Sequence, residues 1–214
     1  MTVAALVLAY LIGSIPTAYL VGRLKGIDVR KVGSGNMGAT NIYRTLGVWP
    51  AVFVLLVDGA KGAVAALLIP RLFALDPMSW GLLCGLVAMV GHSRPLFLGF
   101  KSGGKGVATA GGIFAALAPA AFLAGLAGFV VTVALTRYVS LGSMLAATIL
   151  PITTALTHGV RSPTFAAALA VTLFVLWSHR SNIGRLRRGE ERRLGRPGSA
   201  GGSSTGGEVG GVRQ

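Results

Sequence analysis

Residues 106–136 run for 31 positions without one Asp, Glu, Lys or Arg. In lipid no water pairs with backbone amides, so a run like this must close its own hydrogen bonds as helix. One crossing needs about 20 residues, which makes this run long for one helix and short for two full ones, and Pro119 stands inside it. Further apolar runs cover 2–21, with Gly13 and Pro16 as a kink, and 48–69, 78–91, 141–157 and 164–178. With 53% hydrophobic and 12% charged residues and a mean hydropathy of +0.71, the chain is outside the soluble range. The expected class is all-α, a polytopic integral membrane protein.

Basic residues decide how many times the chain crosses, because Lys and Arg collect on the cytoplasmic side. If Pro119 marks a turn between two short crossings, there are seven. Arg23, Lys25, Arg30, Lys31, Arg44, Arg94, Lys101, Lys105, Arg137 and the eight arginines beyond 179 then share one face, 17 against Arg71 and Arg161. Treating 106–136 as a single crossing turns the tally into nine against ten. Seven short transmembrane helices follow, with the N-terminus out and the C-terminus cytoplasmic. No basic residue precedes the first run, so it reads as a crossing and not as a cleaved signal. The net charge of +14 belongs to this topology and to anionic headgroups, not to nucleic acid. Cys84, the single cysteine, lies in an apolar run and offers no disulfide, thiolate metal site or nucleophile. A membrane domain over 1–194 is followed by a Gly/Ser-rich segment, 195–214, with too little apolar content to order itself.

Four polar stretches would meet on the cytoplasmic face. The first, 33–44, holds Ser34, Asn36, Asn41 and Arg44 among glycines, which let successive N–H groups converge while a guanidinium supplies charge. Its GxGxxG spacing follows no strand and is a chance match to the dinucleotide fingerprint. The second contains Lys101, Gly103, Gly104, Lys105 and Gly106, and resembles a phosphate loop without the magnesium-binding hydroxyl. The missing hydroxyl and the lack of a leading strand argue against nucleotide hydrolysis, while oxyanion binding remains. His92 stands beside this loop. The third holds Ser140 and Ser143. In the fourth, His179, Asn182 and Arg185 recur at helical spacing with Glu191 two turns on. Within the bilayer, Asp58 and Lys61 share a helix face, either as a structural ion pair or as a substrate site.

Taken together, these segments resemble the bacterial acyl-phosphate:glycerol-3-phosphate acyltransferases, the PlsY family. The resemblance rests on Ser-Gly-Asn-x-Gly-Ala-Thr-Asn at 34–41, Gly91-His92 through Gly99-Phe100-Lys101 to Gly103-Gly104-Lys105-Gly106-Val107-Ala108-Thr109, and Ser181-Asn182-Ile183-x-Arg185 with Glu191. The segment 137–143 is also similar, and the likeness covers about 1–194. Ser102 is an extra residue against the family's Phe-Lys-Gly-Gly-Lys-Gly. The resemblance implies a multi-pass protein of the bacterial inner membrane that needs no metal or cofactor. Its substrates would be acyl phosphate and glycerol 3-phosphate, with the cytoplasmic enzyme that makes acyl phosphate as a partner. It also implies catalytic roles for Ser34, Asn36, Arg44, Lys105, His179 and Asn182. Substrate binding would involve Asn41, Lys61, His92, Lys101, Gly103, Gly104, Thr109, Ser140, Ser143, Arg185 and Glu191.

The chain has no His-x4-Asp pair of the soluble-domain acyltransferases: five residues beyond His92, His158 and His179 stand Phe97, Pro163 and Gly184. Acyl phosphate is already activated, so orientation and charge stabilisation suffice for direct transfer. A transporter of anionic metabolites, with its site at the bilayer midplane, is the alternative from another class.

Overall fold

A computed structural model describes residues 1–101 and 103–195; Ser102 and the tail from 196 lie outside the described residues. The described chain is helical, with no strand. Its helices are α1 (Thr2–Ser14), α2 (Thr17–Leu24), α3 (Ala39–Leu46), α4 (Val48–Leu72), α5 (Pro77–Ser93), α6 (Val107–Leu117), α7 (Pro119–Thr136), α8 (Val139–His158), α9 (Pro163–Ser178) and α10 (Arg180–Arg187). Five segments are long and apolar enough to cross a membrane, the first being α1 and α2 together, and α6 and α9 are shorter apolar helices.

Proline sets most of the boundaries. The residue before a proline is pushed out of helical geometry: Ile15 has ψ 113° and ends α1, and Ala118 has φ −146° and ends α6. Pro77, Pro119 and Pro163 sit in first turns, where a missing N–H costs nothing. The expected division of 106–136 at Pro119 is therefore present, as is the kink at Pro16.

Small residues bring the helices together. A Cβ on Gly112 of α6 would lie 1.9 Å from Gly59 O, and one on Gly62 of α4 would lie 2.1 Å from Thr109 O. These contacts run in opposite directions along α4 and α6, so the two pack antiparallel with backbones touching. Where lipid is as apolar as leucine, close approach of this kind holds helices together. On α1, Gly13 fits against Ala88 of α5, where an added Cβ would lie 2.0 Å from the Ala88 carbonyl oxygen. α7 and α8 form another antiparallel pair, Gly128 facing Ile149 and Gly142 facing Phe129. Gly112→Val is expected to wedge α4 from α6 and lower stability by about 1–3 kcal/mol or more, read as a fall in thermal midpoint of the detergent-purified protein.

Candidate active site

The four polar stretches meet at one end of the helices around a single cavity of about 1070 Å³. Local geometry brings each in. In the first loop Gly33 and Gly35 adopt φ 62° and 68°, open to glycine at little cost. The turn they form is tied by Asn41: its Oδ1 accepts from Ser34 N at 2.8 Å and from Ser34 Oγ at 3.2 Å, while its Nδ2 donates to Val29 O and Val32 O. Asn41 is thus a buried brace as well as a cavity-lining group.

Beyond the second loop, Gly106 at φ 78° begins α6. The N-termini of α3, α6, α8 and α10 all line the cavity, and among the described residues none is capped by a side chain. At the opposite end α5 and α9 are capped by Asp76 and Ser162, while α7, preceded by Ala118, is not. Uncapped first-turn N–H groups and four converging helix dipoles make an anion site before any side chain is counted.

The charged side chains reinforce it. Lys105 Nζ donates to Asn182 Oδ1, whose Nδ2 donates to Glu191 Oε1 at 2.5 Å. Ser140 Oγ reaches the same carboxylate oxygen at 2.7 Å, and Arg185 Nε reaches Oε2 at 2.7 Å. Burial draws the Lys105 ammonium down to about 8, Glu191 opposing and Arg185 and Arg44 assisting. Burial pushes the Glu191 carboxyl up, but the hydrogen bonds from Ser140, Asn182 and Arg185 outweigh it and leave it below the usual carboxylate range. Arg44, drawn down by burial, donates to Arg192 O at 3.2 Å.

His179 is drawn down to about 4, first by burial and then by Lys105, so it is neutral near pH 7. Its Nδ1 lies 2.8 Å from Val175 O. A carbonyl only accepts, so Nδ1 carries the hydrogen and Nε2 is left as an acceptor.

Glu191 arrives by a route that spacing does not suggest. α10 stops after Arg187, and Gly189 at φ 70° reverses the chain, with Gly189 N bonded to Leu186 O and Glu190 N to Arg185 O. The carboxylate therefore returns on a strap, not two turns further along a helix. The strap is pinned by Leu194 N on Arg137 O at 2.7 Å and by Arg193 over the Tyr138 ring.

Of the residues singled out from sequence, Ser34, Asn36, Asn41, Arg44, His92, Gly103, Lys105, Ser140, Ser143, His179, Asn182, Arg185 and Glu191 line the cavity; Lys61, Lys101, Gly104 and Thr109 do not. Lys101 is exposed. Thr109 is buried where α6 touches Gly62, and Lys61 pairs with Asp58 at 2.8 Å. Asp58 itself lines the cavity, which sequence left open, and Arg192, read there only as one of the tail's basic residues, does so as well. Away from the polar end the walls are apolar: Leu55 and Leu56 of α4, Phe114 of α6, Phe122 and Leu126 of α7, and Leu150 of α8.

Comparison with known proteins agrees with this geometry. A family model described as glycerol-3-phosphate acyltransferase matches residues 3–189. The glycerol-3-phosphate acyltransferase of Geobacter sulfurreducens is 47% identical over 187 residues, covering 87% of this chain and 94% of that protein. The Anaeromyxobacter dehalogenans protein of the same name is 50% identical over 188 residues, 86% of this chain and 93% of its own. Among solved structures, PlsY, an integral membrane glycerol 3-phosphate acyltransferase, superposes in its glycerol 3-phosphate form with a TM-score of 0.83 at 37% identity, covering 91% of this chain and 96% of that one. Its lysophosphatidic acid form gives 0.81 at 36% identity, covering 91% and 95%.

Proposed function

The chain belongs to the glycerol-3-phosphate acyltransferase family, and from that premise we propose that it transfers a fatty acyl group from acyl phosphate to the 1-hydroxyl of glycerol 3-phosphate, giving lysophosphatidic acid and inorganic phosphate. The observation that carries this reading is one cavity that is cationic and amide-lined at one end and apolar beyond. Two phosphorylated substrates, one bearing an alkyl tail, need that combination. The polar groups gather at one end of the bundle, whereas transport calls for them at mid-depth.

The glycine loop with Lys105 and His92 holds the phosphate of glycerol 3-phosphate. Ser34, Asn36, Arg44, His179, Asn182 and Arg185 hold the acyl phosphate, whose tail runs along Leu55, Phe122 and Leu126. The 1-hydroxyl oxygen attacks the acyl carbon, the bond from that carbon to the phosphate oxygen breaks, and phosphate departs. Preorganised N–H groups and cations stabilise the charge that develops, without rearranging as it does so. The hydroxyl proton passes to a phosphate oxygen of the donor. No acyl-enzyme is needed: among the described residues the Ser34 hydroxyl meets only Asn41 Oδ1 and, at 3.5 Å, the Asn36 amide, and neither is a base.

The detergent-purified protein, given acyl phosphate and glycerol 3-phosphate, is expected to make lysophosphatidic acid, and not to do so with acyl-CoA. A labelled acyl-enzyme trapped in a single turnover would contradict direct transfer. With Lys105 drawn down to about 8, its ammonium is present below that pH and lost above it. The KM for glycerol 3-phosphate should therefore rise from pH 7 towards pH 9, and a flat profile would remove Lys105 from phosphate binding.

Residues 1–194 act as one unit in the bacterial inner membrane, crossing it seven times with α6 and α9 as short crossings, the N-terminus outside and the cavity open to the cytoplasm. The cytoplasmic enzyme that makes acyl phosphate delivers its product to that face. In a Cys84→Ala background, cysteines at the exposed positions Lys31, Lys101 and Arg187 should label from one side of sealed vesicles, and cysteines at Arg71 and Arg161 from the other.

A further inference from the structure

Asp58 is the cavity-lining acid for which the mechanism above has no use. Its Oδ1 lies 2.8 Å from Lys61 Nζ and 3.6 Å from His92 Nδ1, and the Asp58 and Lys61 side chains are only 3% and 4% exposed. Lys61 Nζ also donates to Ile15 O at 3.1 Å, at the break between α1 and α2. The carboxylate thus faces α5 across a gap too long for a hydrogen bond, and its partner lysine ties α4 to the first crossing.

The other side of His92 carries the glycine loop. Gly104 N donates to His92 O at 3.1 Å, and a Cβ on Gly104 would stand 2.0 Å from His92 Nε2. A Cβ on Gly103 would stand 2.1 Å from Ser93 O. The loop therefore rests directly on the backbone and ring of His92, and the tilt of that ring decides where the loop amides and Lys105 come to lie. At 3.6 Å the carboxylate is beyond hydrogen-bond distance of Nδ1, and its negative charge, close behind the ring, favours hydrogen on the nitrogen that faces it.

We propose that Asp58 is a positioning residue of the glycerol 3-phosphate site, holding the His92 ring as the floor on which residues 103–106 are set. The proposal rests on the assignment of that loop to glycerol 3-phosphate. It also gives the buried pair a use other than stability: removing one partner of a buried pair strands a charge, whereas removing both is often neutral.

Steady-state rates of the full-length enzyme in detergent, with each substrate varied in turn, test it. Asp58→Asn is expected to raise the KM for glycerol 3-phosphate about tenfold, with the KM for acyl phosphate within about twofold and kcat within about threefold. His92→Ala should raise the same constant, and Asp58→Asn/His92→Ala should be no worse than His92→Ala alone, since the carboxylate acts through the ring. Should Asp58→Asn fail to fold, Asp58→Ala/Lys61→Met removes both charges and is expected to fold with the same raised KM. Effects that add in the double variant, an equal rise of both KM values, or an unchanged KM would overturn the proposal. So would failure of both Asp58 variants to fold, which would make the pair scaffold alone. If the unmodified enzyme acylates no glycerol 3-phosphate, the functional reading itself falls and takes this one with it; normal wild-type activity with an indifferent Asp58 variant defeats only the present proposal.

Discussion

Lys105→Met is expected to lower kcat/KM for glycerol 3-phosphate by about 10–10²-fold, since a hydrogen bond to a charged group is worth about 1.5–3 kcal/mol. Methionine keeps the length and apolar stem of the side chain, so the loss reports the ammonium group. That group donates to Asn182 Oδ1 and lies on the cavity wall between the glycine loop and α10. Most of the effect should appear as a raised KM for glycerol 3-phosphate, since the charge is present in the resting site and serves bound substrate as well as transition state. If instead the KM for acyl phosphate rises and that for glycerol 3-phosphate does not, the two substrates have been assigned to the wrong loops.

Glu191→Ala should cost nearly all activity together with stability. Its carboxylate accepts from Ser140, Asn182 and Arg185, three side chains from α8 and α10 that would otherwise have no common partner. Hydrogen bonds to a charged group are worth about 1.5–3 kcal/mol each when broken one-sidedly, though Arg185, about a third exposed, recovers part of this from water. A fall of several degrees in thermal midpoint is expected alongside the lost turnover. Glu191→Gln keeps an acceptor for Ser140 and Asn182 but presents no charge to Arg185, and should fall between wild type and Glu191→Ala. Full activity in Glu191→Ala would mean that the strap does not organise the site.

The site was legible in the sequence to different depths in different places. His179, Asn182 and Arg185 could be grouped because three-residue spacing stacks them on one helical face, and α10 does so. Glu191 could be suspected, but not its path, because the reversal at Gly189 is a left-handed cap that spacing along a helix does not encode. Asp58 and Lys61 were recognisable as an ion pair from their i, i+3 separation, yet His92 as a third member depends on how α5 crosses α4. The family resemblance implies substrate binding by Thr109 and Gly104. In the structure Thr109 packs against Gly62 and Gly104 against the His92 ring, and neither lines the cavity, a placement that depends on contacts between helices and not on local spacing.

What the sequence determined by itself was the membrane, the helical class and the helix breaks at Pro16 and Pro119, because hydropathy and proline sterics act over a few neighbouring residues and sum along the chain. The division at Pro119 needed only a count of basic residues. What the tertiary structure alone decided was that four uncapped helix N-termini point into one space and that a buried carboxylate stands behind the glycine loop. Dipoles and charges act over a few ångströms through space, so their sum at a point depends on crossing angles and glycine contacts between helices far apart in the chain.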